Sequence, residues 1–344
     1  MSIPGRKGIA CGGNWVVDLV KVVDLYPVEC SLANILAESM GGGGCAHNVT
    51  LNLAKFDSSL DLFAVGLVGN DGFGDFLIQE CRDFPNIHTG QLRRTDMEKT
   101  SYTDVFNVKS TGRRTFFHHR GANRLFSPET VDMQELPVEM FHLGYLLLLD
   151  GMDQDDAKFG TVAARFLSQL QHQGIRTSID LVSEDGTRFR KIVPPALRYT
   201  SCCIINDFEA EQLTGLPIRE NEKILRANLR KIAATLFSFG VAELVVIHFP
   251  EGAYLAARDQ TEILQSSLEL PQDFIVGSTG AGDSFCAGIL YGLYQGWDYG
   301  RMMCFAVCAG AMNLRDLTTT GGMAPWPAIF QMQDNFPFRE ACWA

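Results

Sequence analysis

Short apolar runs that resemble strands alternate with longer amphipathic stretches that resemble helices from about residue 60 onward. This alternation predicts an α/β fold with a mostly parallel central sheet and helices on both faces, because parallel strands need a long connection between them. The predicted strands are 62–68, 141–149, 176–181, 202–206 and 243–249, and the predicted helices are 156–172 and 222–239. In such sheets ligands bind at the carboxyl ends of the strands.

Two segments, about 15–27 and 100–120, have strand-like alternation with no helix between strands. The second contains a turn at 110–112 between two runs of apolar and polar residues, which predicts a hairpin. Small antiparallel sheets rarely stand alone, so we expect these segments to form a small β lid over one edge of the main sheet. The chain, residues 1–344, is therefore predicted to be a single domain with a lid made of insertions.

The composition excludes several classes of partner. A formal net charge of −11 argues against a nucleic-acid surface, which needs clustered Lys and Arg. The apolar runs are far too short to span a bilayer, and the N-terminus has no apolar signal segment, so we expect no membrane association and a cytoplasmic location. The ten cysteines include no C-x-x-C pair, which favours reduced thiols over a metal site.

The strongest chemical signal is the segment 277–285, which reads GSTGAGDSF and is followed by helical spacing. A glycine-rich turn that opens a helix presents consecutive backbone N–H groups at the positive end of the helix dipole, so Gly280, Ala281 and Gly282 can hold phosphate oxygens. Asp283 would point into the same site, where a carboxylate can take the proton from an incoming hydroxyl. The competing interpretation is an acid that only complements the helix dipole.

Residues 278–285 resemble the C-terminal signature of the ribokinase-like, or PfkB, carbohydrate kinases. Four further segments match motifs of that family, in family order, between about Gly12 and Gly322. They are GGCAHN at 43–48, GLVGNDGFG at 66–74, GAN at 121–123 and NDFE at 206–209. The resemblance therefore covers nearly the whole chain and implies the ribokinase-like fold, ATP as phosphate donor and a sugar or sugar-derived phosphate acceptor.

The resemblance also implies which residues bind the acceptor. Gly43, Gly44 and Asn48 match the glycine pair and the Asn that contact substrate hydroxyls in the family. Asp18 stands nine residues before Pro27, as the family's substrate-binding Asp stands before its Pro. A carboxylate can accept two hydroxyl hydrogen bonds, which suits a sugar diol. Asp150, which closes a predicted strand, is a further candidate.

On the nucleotide side, the resemblance implies that Asn206 and Glu209 hold Mg²⁺ and phosphate through water, as hard-cation chemistry permits. The remaining candidates for nucleotide binding are Thr279, His248, Gly252 and Asn313. Many family members carry Asp at the position of Gly277, in a neighbourhood associated with a monovalent cation. Activation by such a cation is therefore left open.

Three alternatives remain beside a sugar kinase. Residues 41–46 satisfy the loose G-x-G-x-x-A dinucleotide pattern, but no βαβ context surrounds them. A nucleoside kinase of the same fold fits equally well, because nucleosides also carry a ribose diol. A non-catalytic sugar-binding protein is the third, although pure binding needs no base beside an anion site. Because an exposed lid sheet often pairs with its twin, we expect a homodimer through the lid.

Overall fold

The computed structural model describes residues 6–184, 187–221, 223–340 and 343. The strands are β1 (Ile9–Gly13), β2 (Val16–Val23), β3 (Ile35–Gly43), β4 (Leu62–Gly69), β5 (Ile87–Thr95), β6 (Ser101–Val108), β7 (Arg114–His119), β8 (Met140–Leu146), β9 (Asp155–Asp156), β10 (Gly160–Thr161), β11 (Arg176–Leu181), β12 (Cys202–Asn206), β13 (Arg219–Glu220), β14 (Lys223–Ile224), β15 (Leu244–Phe249), β16 (Gly252–Ala257) and β17 (Glu262–Ser266). The helices are α1 (Cys45–Phe56), α2 (Gly72–Arg82), α3 (Val162–His172), α4 (Phe189–Leu197), α5 (Asp207–Thr214), α6 (Arg226–Phe239), α7 (Ala281–Tyr294), α8 (Tyr299–Asn313), α9 (Trp326–Phe330) and α10 (Met332–Asn335).

Nine strands form the large sheet, in the order β17-β16-β15-β12-β11-β8-β1-β4-β5. The strands from β5 to β15 pair in parallel, and β16 and β17 extend one edge by antiparallel pairing. All five predicted strands lie in this sheet. The predicted fold class, a mostly parallel sheet with a small β lid, is confirmed.

Helices cover both faces of the large sheet, as the alternation of buried side chains in its strands requires. Along β12, Cys202 and Ile204 pack on the face that carries α1, α2, α7 and α8. Their neighbours Cys203 and Ile205 pack on the opposite face, against α3 to α6. Each strand therefore contributes to two apolar layers, which hold its carboxyl end at a fixed position.

The lid is a separate four-stranded sheet in the order β3-β2-β6-β7. β6 and β7 form the predicted hairpin, and β2 pairs in parallel with β6. The segment 32–39 has no clear strand signal and 41–44 reads as a flexible loop, but Ile35–Gly43 is a strand paired with β2. Most of β3 is exposed, so no buried face imposes the alternation that would reveal it.

Several element ends differ from the predicted ones. α3 begins at Val162 because Thr161 caps it, with Thr161 Oγ1 accepting a hydrogen bond from the Ala164 amide at 3.2 Å. α6 begins at Arg226, and the predicted start at residue 222 lies outside the described residues. β8 ends at Leu146. Within the described part of the chain, no helix has the length and apolar character that a membrane crossing requires.

Candidate active site

The turn before α7 has a conformation that only glycine adopts without strain. Gly280 has φ of 80°, and a Cβ there would lie 2.3 Å from the Thr319 carbonyl oxygen. Asn313, on α8, donates from Nδ2 to the Thr279 carbonyl at 2.7 Å and so anchors the turn from behind. α7 then begins at Ala281, which leaves the first backbone N–H groups of the helix without helical partners and free to bind an anion.

Asp283 lies in the first turn of α7 and is buried. Its Oδ2 accepts a hydrogen bond from Asn48 Nδ2 at 2.8 Å, and its Oδ1 accepts one from the Tyr145 hydroxyl at 2.8 Å. Burial raises the pKa of Asp283 above its usual range, although both hydrogen bonds oppose the rise. The carboxylate is thus oriented by two donors at the anion-binding end of the helix.

Two adjoining cavities meet at this turn, with volumes of about 490 Å³ and 440 Å³. Their walls share three residues: Asn206, His248 and Gly282. Asp283 lines only the smaller cavity, and Ala281 lines only the larger one. Two ligands, one in each cavity, would therefore contact each other beside the turn, and Asp283 would face the ligand in the smaller cavity.

The lid closes the smaller cavity, which we call the acceptor cavity. Asp18 from β2 and Thr103 from β6 line it, together with Phe116 and His118 from β7. A Cβ on Gly43 would come within 2.3 Å of Asp18 Oδ2, so a glycine is needed there to make room for that carboxylate. The lid strands β2, β6 and β7 therefore supply part of the wall of the cavity that Asp283 also lines.

Gly44 and Asn48 bring the start of α1 into the same wall. Gly44 has φ of 86°, and a Cβ there would lie 2.5 Å from the Asn14 carbonyl oxygen. Gly44, Asn14 and Asn48 all line the acceptor cavity. Gly44 thus permits a close approach of backbone at the cavity wall, whereas Gly43 lies outside the described lining and leaves room for Asp18.

The acceptor cavity is rich in acids. Four carboxyl groups line it, those of Asp18, Asp180, Glu209 and Asp283, and no lysine or arginine is among its described lining residues. Burial raises the pKa of Asp18 to about 6, and the nearby Asp283 charge adds to the rise. Burial also raises the pKa of Asp180, with the charges of Glu209 and Asp283 adding to it. Such a site favours cations and hydroxyl donors over anions.

Glu209 belongs to a capping box at the start of α5. Its Oε2 accepts from the Asn206 amide at 3.0 Å, and Asn206 Oδ1 accepts from the Glu209 amide at 2.9 Å. Glu209 Oε1 also accepts from the Ser183 hydroxyl at 2.8 Å. Burial raises the pKa of Glu209 to about 7. These contacts fix the carboxyl group at the edge where both cavities meet.

The larger cavity, which we call the nucleotide cavity, is a mostly apolar slot beside α8. His248 and Gly252 line it near the β15–β16 turn. Val307, on α8, and Leu314, which follows α8, line it as well. A Cβ on Gly252 would lie 2.2 Å from the Gln265 carbonyl oxygen. Burial lowers the pKa of His248 to about 4, so its imidazole is neutral at physiological pH.

Four predicted site residues lie elsewhere than expected, and one of them, Gly43, is absent from the described lining of both cavities. Asp150 is absent from the described lining of both cavities, and its Oδ1 accepts from Arg120 Nη1 at 2.6 Å, which accounts for the carboxylate without a substrate. Asn313 also lies outside both described linings and instead holds the turn. Thr279 lines the acceptor cavity rather than the nucleotide cavity. Asp150 therefore stays an untested acceptor-binding candidate that pairs with Arg120, and Asn313 anchors the turn before α7.

The structure adds residues that the sequence did not single out. Tyr145 holds Asp283, and Arg114 of the lid donates from Nη2 to Ser278 Oγ at 2.8 Å, beside the anion-binding turn. His118 Nδ1 and Thr103 Oγ1 lie 2.9 Å apart in the lid wall. The hairpin signal located Arg114, Thr103 and His118 in the lid but carried no information about which side chains face inward.

A doubly covered parallel sheet, a β lid and a buried acid at an anion-binding turn together define the ribokinase-like class of small-molecule phosphotransferases. The family model described as pfkB family carbohydrate kinase matches residues 7–327. The chain belongs to the PfkB family of carbohydrate kinases, which confirms the resemblance seen in the sequence.

Curated relatives match this chain over most of its length. A deoxyribokinase of Salmonella typhi is 24% identical over 340 residues, covering 96% of this chain and 99% of the relative. A ribokinase of Arabidopsis thaliana is 24% identical over 301 residues, covering 87% of this chain and 74% of the relative.

Solved structures show the same fold. The Arabidopsis thaliana ribokinase complexed with ribose and ATP has a TM-score of 0.79 and 19% identity, covering 95% of this chain and 98% of that one. A nucleoside kinase of Methanocaldococcus jannaschii has a TM-score of 0.74 and 16% identity, covering 96% and 99%. At these identities the likeness establishes the fold and leaves the acceptor open.

Proposed function

We propose that the protein transfers the γ-phosphate of ATP to a hydroxyl of a sugar or sugar-derived molecule, with Asp283 as the base. The observation that carries this proposal is the position of Asp283, which faces the acceptor cavity at the turn where the two cavities meet. The turn of Gly280, Ala281 and Gly282 stabilises the charge on the transferring phosphoryl group through its N–H groups. Asp283 takes the hydroxyl proton as the oxygen attacks.

Asp18, Gly43, Gly44 and Asn48 bind the acceptor in this proposal. Asp18 accepts hydrogen bonds from acceptor hydroxyls, while Gly43 leaves room for the Asp18 carboxylate and Gly44 allows backbone to approach Asn14 closely. Asn48 both orients Asp283 and borders the cavity. Because two carboxylates accept hydroxyl hydrogen bonds in one cavity, a polyhydroxylated neutral acceptor suits it better than an anionic one.

ATP occupies the nucleotide cavity in this proposal, with His248 and Gly252 beside it and Thr279 and Asn206 near its phosphates. The apolar lining accommodates a purine ring, and Arg339 is the one cation among the described lining residues. Support comes from the Arabidopsis ribokinase, whose structure was determined with ribose and ATP. The backbone N–H groups at the start of α7 then donate hydrogen bonds to the phosphates.

Magnesium accompanies ATP in this proposal. Four carboxyl groups beside a polyphosphate need a cation, and oxygen donors such as Glu209 with retained water are what Mg²⁺ prefers. When bound, Mg²⁺ neutralises phosphate charge and orients the phosphates. Hydrogen bonds from Asn206 and Ser183 fix the Glu209 carboxylate, which would contact that ion through a water molecule. Dependence on a monovalent cation stays open.

The lid closes over the acceptor and excludes water in this proposal. Water competes with the acceptor hydroxyl for the γ-phosphate, so an open site would hydrolyse ATP. Phe116 and His118 supply the inward face of β7, and Arg114 connects the same strand to the anion-binding turn. Arg114 thus couples closure of the lid to the presence of phosphate.

A coupled assay of ADP formation over pentoses, hexoses, keto-deoxy acids and nucleosides tests the proposed activity. The relatives named for deoxyribose, ribose and fructose place these sugars first in the screen. We expect at least one sugar to raise ADP formation in the wild type and not in Asp283→Asn. Activity with nucleosides alone would establish the alternative nucleoside kinase. Binding of sugar with no phosphorylated product would establish a non-catalytic sugar-binding protein.

We also propose a homodimer formed through the lid. Exposed large apolar side chains concentrate on this sheet and the loop that joins its first two strands. They are Leu25, Tyr26, Val28, Leu32, Ile35, Leu36, Met40 and Phe117. Such a patch on a sheet with free edges is suited to a second copy of itself.

Sedimentation velocity tests the dimer. The wild type should sediment as a dimer and Leu36→Glu should shift toward monomer, because the patch would bury a charge. Met97→Glu is the matched control, since Met97 is exposed but lies outside the lid sheet. A monomeric wild type, or an equal shift in both variants, would contradict the lid interface.

A cytoplasmic location is the last part of the proposal. The nine cysteines in the described part of the chain carry no disulfide, which suits a compartment that keeps thiols reduced. Cell fractionation should recover the protein with cytoplasmic markers. Recovery with secreted proteins, accompanied by disulfides, would contradict it.

A further inference from the structure

A histidine and a glutamate that the proposed phosphate transfer does not use are connected to Asp283 through Asn48. His47, on α1, has its Nε2 3.1 Å from Oε2 of Glu80, on α2. His47 Nδ1 lies 3.0 Å from Asn48 Oδ1, and Asn48 Nδ2 donates to Asp283 Oδ2 at 2.8 Å. A continuous chain of three hydrogen bonds therefore connects Glu80 to Asp283.

The direction of these hydrogen bonds determines where the protons of His47 lie. Asn48 Nδ2 faces the Asp283 carboxylate, so Asn48 Oδ1, which can only accept, faces the imidazole. Nδ1 of His47 must therefore carry a proton. Nε2 must carry one as well, because it faces an oxygen of Glu80, and an ionised carboxylate can only accept. His47 satisfies both partners at once as the imidazolium cation.

The surroundings of the His47–Glu80 pair leave space for it and cover it. A Cβ on Gly42 would lie 2.2 Å from His47 Nε2 and 2.3 Å from Glu80 Oε2, so the glycine leaves room for both atoms. The Trp15 ring packs at 89° to the His47 ring, with the ring centroids 5.8 Å apart. The His47 side chain is 1% exposed and that of Glu80 is 29% exposed. A buried cation needs a charged partner, and Glu80 provides it.

The charges around His47 affect the acids of the acceptor cavity. Burial raises the pKa of Asp18 to about 6 and raises the pKa of Asp283 as well, and a positive charge on His47 opposes the rise in both. Glu80 faces His47 from α2, and Lys55, further along α1, interacts with Glu80. Because a base must be ionised to accept a proton, the His47 charge favours the active form of Asp283.

We propose that His47 is a positioning residue for phosphate transfer: an imidazolium, paired with Glu80, that acts through Asn48 to orient Asp283 and keep it ionised. This inference rests on the proposed role of Asp283 as the base. A cation bonded to Asn48 Oδ1 polarises the amide group, which strengthens the hydrogen bond from Nδ2 to Asp283. After the phosphorylated product leaves, the same charge favours return of the proton from Asp283 to water, which restores the carboxylate.

NMR spectroscopy of the full chain tests the protonation of His47 directly and needs no acceptor. In protein labelled with ¹⁵N-histidine, His47 should show two protonated ring nitrogens near neutral pH, and His47→Asn should identify these signals by their loss. Glu80→Gln should leave His47 neutral, because a glutamine can donate to Nε2. Asp83→Asn is the matched control, since Asp83 ends the same helix and accepts from Gln79, and it should leave the His47 signals unchanged.

The pH dependence of kcat/KM for the identified acceptor tests the effect on the base. The acidic limb of this profile reports ionisation of the Asp18–Asp283 pair in the free enzyme. It should move to higher pH by about half a unit or more in His47→Asn, because the cation is lost. The shift should be smaller in Glu80→Gln, which removes both charges of the pair, and absent in Asp83→Asn. A change in packing alone would lower kcat/KM without moving this limb.

The two measurements together decide the proposal. A wild-type His47 with one unprotonated ring nitrogen near neutral pH would overturn it, as would an acidic limb that stays in place in both His47→Asn and Glu80→Gln. Where His47→Asn fails to fold, Glu80→Gln still decides, because Glu80 is partly exposed. Full activity of Asp283→Asn would refute the base itself, whereas a neutral His47 beside an essential Asp283 would refute only the positioning role.

Discussion

At the scale of single residues, the acceptor cavity contains two carboxylates whose negative charges repel each other. Asp18 comes from the lid and Asp283 from the core, and each raises the cost of ionising the other inside a buried site. Asp283 has two fixed donors, Asn48 and Tyr145, which hold it in one orientation. Asp18 has Thr103 as a donor and otherwise faces the cavity, so it can accept hydrogen bonds from a ligand.

Replacing Asp18 should separate acceptor binding from nucleotide binding. Asp18→Ala removes two charge-assisted hydrogen bonds, each contributing about 1.5–3 kcal/mol, so kcat/KM for the acceptor should fall by roughly 10²-fold or more. ATP affinity and the slow ATP hydrolysis without acceptor should change little. Steady-state kinetics measure both. Asp104→Ala, a lid acid that pairs with Lys21, is the control for general damage to the lid. Loss of ATP binding with retained acceptor affinity would place Asp18 on the nucleotide side.

The raised pKa of Asp18 also predicts a dependence of stability on pH. Its pKa is about 6 in the folded chain against 3.8 for an unperturbed aspartate, so the folded state binds the proton more tightly between these values. Asp18 therefore costs stability increasingly as pH rises through that window. Asp18→Asn should raise Tm by roughly 2–4 °C at pH 8, and the gain should shrink toward pH 4. Calorimetry at several pH values measures it, and a gain independent of pH would contradict this assignment.

Glu209 provides the test for magnesium. Glu209→Gln keeps the shape of the capping box and removes the negative charge, so the Mg²⁺ concentration for half-maximal activity should rise several-fold. The KM for the acceptor should change less. Titration of activity with Mg²⁺ at saturating ATP measures the effect. Glu211→Gln is the control, because it removes the same charge from α5 at a residue outside both described cavity linings. Identical magnesium titrations for wild type and Glu209→Gln would exclude this role.

At the scale of elements, strands buried on two faces were predictable from sequence and the exposed strand was not. The runs at 202–205 and 244–247 are continuously apolar because both of their faces are covered, and this makes a strong signal. β3 has six exposed residues before its glycines, and its place is fixed by hydrogen bonds to β2, which composition does not record. The observed start of a helix differs from the predicted one where a capping residue such as Thr161 determines the first turn.

Arg114 tests how β7 is coupled to the anion-binding turn. The described hydrogen bond of its side chain is to Ser278, and burial lowers the pKa of its guanidinium, so a phosphate in reach would be a better partner. Arg114→Ala should raise the KM for ATP about tenfold, because one charge-assisted contact is lost. Arg113→Ala is the control, since Arg113 is an exposed neighbour in the same hairpin. Equal kinetic constants for the two variants would exclude Arg114 from the closed site.

At the scale of the whole molecule, the site is assembled from segments that are far apart in sequence. Residues 18, 44, 48, 206–209 and 280–283 carry motif signals and line the two cavities. Tyr145 carries none, because a tyrosine within a strand is unremarkable until the fold brings it to Asp283. The ion pair of Asp150 with Arg120 also carries no signal, because the two residues are 30 positions apart and could not be paired from sequence.

The same limit applies to the cysteines. No C-x-x-C spacing exists, so the sequence favours unliganded thiols. The structure brings Cys45 and Cys286 to one histidine, His142, from 241 positions apart along the chain, and only the fold records this.

The central claim is that Asp283 activates the acceptor hydroxyl, and one comparison tests it most directly. Phosphate transfer from ATP to the identified acceptor is measured under single-turnover conditions for wild type and Asp283→Asn, with ATP affinity determined by calorimetry on both proteins. Asp283→Asn should slow transfer by about 10²-fold or more and leave ATP affinity nearly unchanged, because loss of a general base removes 10² to 10⁴ in rate, by order of magnitude. Transfer by Asp283→Asn at a rate near that of the wild type would contradict the claim.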